Sequence, residues 1–131
     1  MTNKELIDAA ISAQANAYAP YSGFKVGAAL LCEDGEVFAG ANVENSSFGL
    51  TNCAERSALF AAISAGKRAF KAIAIVGGKN GEIGGFCPPC GACRQALAEF
   101  SPAGDLQIIL FDGQSEKVLP LSALLPESFS L

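Results

Sequence analysis

Residues 53–66, CAERSALFAAISAG, are followed by AIAIV at 72–76, CGACRQALAEF at 90–100 and LQIILF at 106–111. The first and third stretches are rich in residues that lose little on entering a helix, and the first stops at Gly66, a natural helix terminator. The second and fourth are short apolar runs bounded by turn or charged residues, which predicts buried strands. Helix and strand alternate twice, so the stretch predicts an α/β fold. Residues 77–89, between the second and third stretches, hold five glycines and two prolines and read as a loop.

Working outward, Thr2 and Glu5 read as a capping box that opens an amphipathic helix with Leu6, Ala9, Ala10, Ala13 and Ala17 on one face. The segment Ala19-Pro20-Tyr21-Ser22-Gly23 stops that helix. Residues 24–31 place Val26, Ala28 and Leu30 on one side of a strand. Asp34-Gly35 then supplies a tight hairpin into a second strand over residues 37–41. Beyond residue 111, Asp112-Gly113 is a turn, an extended piece surrounds Val118, and a last helical turn over 121–125 ends at Pro126. The sum is a three-layer α/β/α sandwich on a mixed five-stranded sheet, mixed because its first pair is a hairpin. At 131 residues the chain predicts a single domain, 1–131.

Composition narrows the chemistry. Half of the residues are hydrophobic and 17% are charged, enough apolar material for a core and a hint of further burial between subunits. Nine basic against thirteen acidic residues give a net charge of −4, with no basic stripe, which argues against a nucleic-acid partner. The first residues carry Lys4, Glu5 and Asp8 and lack the apolar run of a signal peptide or membrane span, so a cytoplasmic protein with no membrane partner is expected. Five cysteines in such a compartment point to metal or redox chemistry. There is no histidine, so Ser-His and Cys-His catalysis and His-ligated metals are excluded.

Cys53-Ala54-Glu55 and Pro89-Cys90-Gly91-Ala92-Cys93 both fall where a loop becomes a helix. Helix N-termini favour thiolates, and the turn of the chain lets Cys90 and Cys93 converge on one ion. Three thiolates on Zn²⁺ leave one position open, as catalytic zinc sites do. Glu55 is placed to contact whatever fills it. Two other readings stand beside this one: a closed structural zinc with Cys87 as fourth ligand, and a redox-active Cys87-Pro88-Pro89-Cys90 motif. Cys32 reads as a small core residue.

The paired motifs resemble the zinc deaminases of nucleosides and nucleobases, with cysteine in place of the first-ligand histidine. That form is typical of the small tetrameric cytidine deaminases. The resemblance extends through Tyr21-Ser22-Gly23-Phe24-Lys25-Val26-Gly27, Asn42-Val43-Glu44-Asn45 and Leu124-Leu125-Pro126. It implies one Zn²⁺ per chain on Cys53, Cys90 and Cys93, with Glu55 moving protons. The implied reaction is hydrolysis of cytidine and 2′-deoxycytidine to uridine and 2′-deoxyuridine plus ammonia, a step of pyrimidine salvage. Phe24 is similar to the aromatic residue that packs on the pyrimidine, and Asn42 and Glu44 to the pair that binds the sugar hydroxyls. Ala54 would offer backbone groups to the base edge. Arg56 resembles the arginine that hydrogen-bonds the thiolates, and Phe129 an aromatic residue reaching a neighbouring subunit's site in a homotetramer. Where relatives often carry tyrosine, this chain has Phe48, which lacks a hydroxyl.

Arg56 also has a reason independent of resemblance. Zinc with three thiolates has a formal charge of −1, which opposes deprotonation of a bound water. Arg56 and two helix starts can offset it, with Arg94 a further candidate. The absence of a basic cluster leaves a 5′-phosphate without a counter-charge, so a nucleoside is favoured over a nucleotide.

Overall fold

The computed structural model describes residues 1–131. Helix α1 (Asn3–Gln14) opens with the expected capping box: the Thr2 hydroxyl accepts from the Glu5 N–H, and the Glu5 carboxylate accepts from the Thr2 N–H. The helix ends at Gln14, so Ala17 lies beyond it. Its buried side is Leu6, Ile7, Ala10, Ala13 and Gln14, with Ile7 taking the place expected of Ala9. Strands β1 (Phe24–Cys32) and β2 (Val37–Ala41) form the hairpin. A single 3-10 turn, Phe48–Leu50, precedes α2 (Ala54–Ser64). Strand β3 (Phe70–Lys79), helix α3 (Gly91–Ala98), strands β4 (Gln107–Phe111) and β5 (Glu116–Pro120), and helix α4 (Leu121–Leu124) complete the chain.

The sheet runs β2-β1-β3-β4-β5, with β3 and β4 parallel and every other pair antiparallel. Both faces are covered. Helix α1 packs on one, where Leu6, Ile7 and Ala10 meet Ala29, Val76 and Ile109. Residues of α2, α3 and α4 pack on the other, where Ala58, Leu59, Leu97 and Leu121 meet Leu30, Ile73 and Ile108. Strands buried on both faces carry near-continuous apolar runs, which is why β1, β3 and β4 alternate poorly in sequence. Cys32 is buried at the end of β1, as expected.

The sheet and its helices approach closely where the chain has no side chain. A Cβ on Gly27 would stand 2.0 Å from the Ala10 carbonyl oxygen, so this glycine lets α1 lie directly on β1. Strand β3 is longer than its sequence predicts: it continues through Gly77-Gly78 to Lys79 rather than ending at Val76. Gly77 pairs with Val26 and Gly78 with Lys25. A Cβ on Gly78 would stand 1.6 Å from the Glu82 carbonyl oxygen, because the following loop folds back against the strand.

Candidate active site

Cys53 is the N-cap residue of α2, and Cys90 is the N-cap residue of α3, with Cys93 in the first turn of that helix. Their extended backbones aim both side chains off the helix starts, and the contact between α2 and α3 brings the starts together. The Cys53 and Cys90 sulfurs are 3.7 Å apart, and those of Cys90 and Cys93 are 3.6 Å apart. All three lie within 4.8 Å of one another. Tetrahedral ligands about 2.3 Å from zinc are about 3.8 Å from each other. The trio is therefore already at zinc spacing. Cys87 stands outside it, so the fold leaves a fourth position open; burial pushes the Cys87 thiol up to about 11.

The thiols themselves call for a cation. Cys53 is pulled down to about 5, chiefly by the hydrogen bond from Cys93 and next by Arg56. The same pairing with Cys53, followed by burial, pushes Cys93 up. One thiolate is thus easy to form, and the next is costly until a metal supplies positive charge. Arg56 Nη2 donates to Cys53 Sγ at 3.3 Å, and the thiolate holds the guanidinium firmly charged. Arg56 as a whole is half-buried, but its Nε is buried without a hydrogen-bond partner. Arg94 does not join it. Its Nε donates to the Pro89 carbonyl at 2.7 Å and its Nη1 to the Leu124 carbonyl at 2.8 Å, so it ties the Cys90 loop to α4 instead of touching the thiolates.

Glu55 follows Cys53 by two residues, in the first turn of α2, and is 4% exposed. Burial, reinforced by the nearby Cys53 charge, lifts its carboxyl to about 7. A carboxyl group at that value exists in both protonation states near neutral pH. Glu55 lines a cleft of about 170 Å³ together with Cys53, Cys90, Ala54 and Asn42. Val26, Thr51, Cys87 and Pro88 complete the wall; of these Thr51 carries no mark in the sequence, and Val26 and Pro88 are marked there only as a strand residue and as part of a cysteine motif. Val26, Thr51 and Pro88 are apolar or hydroxyl residues whose place in the wall follows from the register of β1 and from the loops before α2 and α3.

Phe24 and Glu44 sit beside the cleft rather than in its wall. The Phe24 ring edge and the Cys87 sulfur converge over Gly77, where a Cβ would meet them at 3.0 and 2.8 Å. Asn42 Oδ1 accepts from the Val26 N–H at 2.8 Å, and Nδ2 donates to the Phe24 carbonyl at 2.9 Å. Glu44 is buried and accepts the N–H groups of Tyr21 and Ser22 through Oε1 at 3.0 and 3.1 Å. Phe129 lies away from the cleft, 69% exposed, with its carbonyl accepting from Gln95 at 3.4 Å. Phe48 is also exposed.

Three thiolates with an open fourth position beside a buried carboxyl group lifted toward neutrality fit the class of catalytic zinc centres. The cytidine and deoxycytidylate deaminase zinc-binding region matches residues 1–108. The chain belongs to that family. It is 50% identical over 131 residues to a cytidine deaminase of Halalkalibacterium halodurans, covering 99% of this chain and 96% of that one. A cytidine deaminase of Mycobacterium tuberculosis is 44% identical over 124 residues, covering 93% and 85%. Among solved structures, cytidine deaminase from Burkholderia pseudomallei superposes with a TM-score of 0.90 at 52% identity, covering 98% of this chain and 100% of that one. The Mycobacterium tuberculosis structure gives 0.83 at 41% identity over the whole of both chains.

Proposed function

We propose that this chain hydrolyses cytidine and 2′-deoxycytidine to uridine and 2′-deoxyuridine, releasing ammonia, with one zinc ion per chain. The observation that carries this is the zinc-spaced trio Cys53, Cys90 and Cys93 opening onto a cleft that also holds the buried Glu55. Zinc held there supplies Lewis acidity that makes water a nucleophile near neutral pH. Glu55 accepts one proton from that water and delivers it to N3 of the pyrimidine as the water oxygen bonds C4; it then takes the remaining proton of that oxygen and passes it to the amino group as the C4–N bond breaks. One water is consumed and one ammonia leaves, so the proton count closes. Arg56 offsets the extra thiolate charge. The Phe24 ring packs on the base, the backbone of Ala54 meets the base edge, and Asn42 and Glu44 take the sugar hydroxyls.

The whole chain, 1–131, works as one domain, in the cytoplasm. Five unpaired cysteines suit a reducing compartment, and no helix is long and apolar enough to cross a membrane. The cleft of about 170 Å³ is smaller than the roughly 300 Å³ at the lower end of ligand pockets. A neighbouring subunit of a homotetramer would complete it, with the exposed Phe129 as the residue offered across the interface.

Following the ultraviolet spectrum of cytidine with zinc-loaded protein tests the reading, and conversion to uridine is expected. Glu55→Gln should keep one zinc per chain and lose at least about 10²–10⁴-fold in turnover. Zinc-loaded protein inert toward cytidine would overturn the proposal, and near-normal turnover by Glu55→Gln would overturn the role of Glu55.

A further inference from the structure

The turn before β1 is built around Ser22. Gly23 adopts φ +68°, in the left-handed region, which bends the chain so that the Phe24 N–H reaches back to the Ser22 hydroxyl oxygen at 3.0 Å. The same hydroxyl donates its proton to Glu44 Oε2. One O–H thus serves as donor to a carboxylate and acceptor from a backbone amide, and no valence conflicts. On the far side of the same residue, Asn42 grips the Phe24 carbonyl and the Val26 N–H. Phe24 is held by its N–H through Ser22 and by its C=O through Asn42, while the residue remains 38% exposed at the edge of the cleft.

We propose that Ser22 is a positioning residue: its hydroxyl links Glu44 to the backbone of Phe24 and so fixes the angle at which that ring meets the pyrimidine. The inference rests on the base-packing role of Phe24 given above. Glu44 is held below the usual carboxylate range chiefly by the Ser22 hydroxyl, which keeps it the charged, strong acceptor that the link requires. The rest of the turn does not depend on the hydroxyl. Glu44 Oε1 still accepts from the Tyr21 and Ser22 N–H groups, Gly23 N–H still reaches the Ala19 carbonyl, and Asn80 N–H still reaches the Gly23 carbonyl at 2.7 Å. Removing the hydroxyl therefore severs the link without dismantling the turn.

The experiment is a double-mutant cycle on the zinc-loaded protein. Ser22→Ala should raise KM for cytidine about fivefold, the ratio one hydrogen bond is worth, with kcat nearly unchanged. Its Kd for uridine, measured by titration calorimetry, should rise by the same factor. Ser22→Thr, which keeps the hydroxyl, should restore both. In a Phe24→Ala background, Ser22→Ala should change KM by less than about twofold, because the ring it positions is gone. An unchanged KM in Ser22→Ala, a failure of threonine to restore it, or full additivity with Phe24→Ala would overturn this assignment while leaving the proposed function intact. A wild-type protein inert toward cytidine would bring down both.

Discussion

Gly77→Ala tests how tightly the cleft wall is packed. Gly77 lies in β3 opposite Val26, and an added methyl would stand 2.8 Å from Cys87 Sγ, 3.0 Å from Phe24 Cε1 and 3.2 Å from Cys87 Cβ. Comfortable contacts between such atoms begin near about 3.5 Å. The sulfur must therefore retreat by roughly 0.7 Å and the ring edge by roughly 0.5 Å. Overpacking of this kind costs about 1–3 kcal/mol, or roughly 3–10 °C in Tm for a chain of this size. The shifted groups border the site, and a misplacement of order 1 Å can cost about a hundredfold in rate, so a rise in KM of several-fold is expected. Thermal unfolding and steady-state kinetics on cytidine measure the two effects. Cys87→Ala removes the atom in the tightest contact, so Gly77→Ala/Cys87→Ala should recover most of the lost stability. Gly49→Ala, where the methyl would meet nothing within 4 Å, is the control. If Gly77→Ala leaves Tm and KM at wild-type values, or if the double variant is no better than the single one, the packing account is wrong.

Two further expectations concern the thiols. In metal-free protein at pH 7, iodoacetamide should label Cys53 and spare Cys87: thiolate is the reactive form, Cys53 is pulled down to about 5, and burial pushes Cys87 up to about 11. Mass spectrometry across pH reads this directly, and equal labelling of the two at pH 7 would contradict it. Arg56→Ala removes the donor to Cys53 Sγ, so it should slow Cys53 labelling at pH 6 and weaken zinc retention by about 10–100-fold in chelator competition. Retention equal to wild type would show that the guanidinium does not stabilise the centre.

The parts of the fold fixed by short-range chemistry were legible in the sequence. Thr2 and Glu5 cap α1 as a pair, Asp34-Gly35 turns the hairpin, and the cysteine motifs start their helices. What escaped was set by distant neighbours. Gly77 and Gly78 read as loop residues because glycine usually marks turns, yet they extend β3 because Cys87 and Glu82 leave no room for a side chain. Ile7 proved to be on the buried face of α1, and Gln14 is buried because its amide reaches the Lys25 and Glu82 carbonyls. In the site, the trio Cys53, Cys90 and Cys93 was marked by its spacing at two helix starts, and Glu55 and Arg56 by their places beside it and by the family resemblance; the structure sets Glu55 in the cleft and Arg56 on the Cys53 sulfur. Arg94 was misjudged, since adjacency to a ligand said nothing of the Pro89 and Leu124 carbonyls that claim it. Ser22 stood out only as part of a turn and of a matching stretch; its two contacts were not legible, because the partners lie two and twenty-two residues away and one of them is a backbone amide.

The sulfurs of Cys53 and Cys90 are 37 positions apart in the chain. An ion bridging them closes a loop of that length, as a covalent staple would, and chain-entropy reasoning values such a closure at about 4 kcal/mol. That is a substantial part of what holds a protein this size together. A bound metal would then be a fastener as well as a reagent: it would clamp the starts of α2 and α3, two of the helices that cover one face of the sheet. Losing it would idle the site and slacken the shell at a single stroke, so a cell short of zinc would hold fewer copies of this chain, and not simply a pool of silent ones.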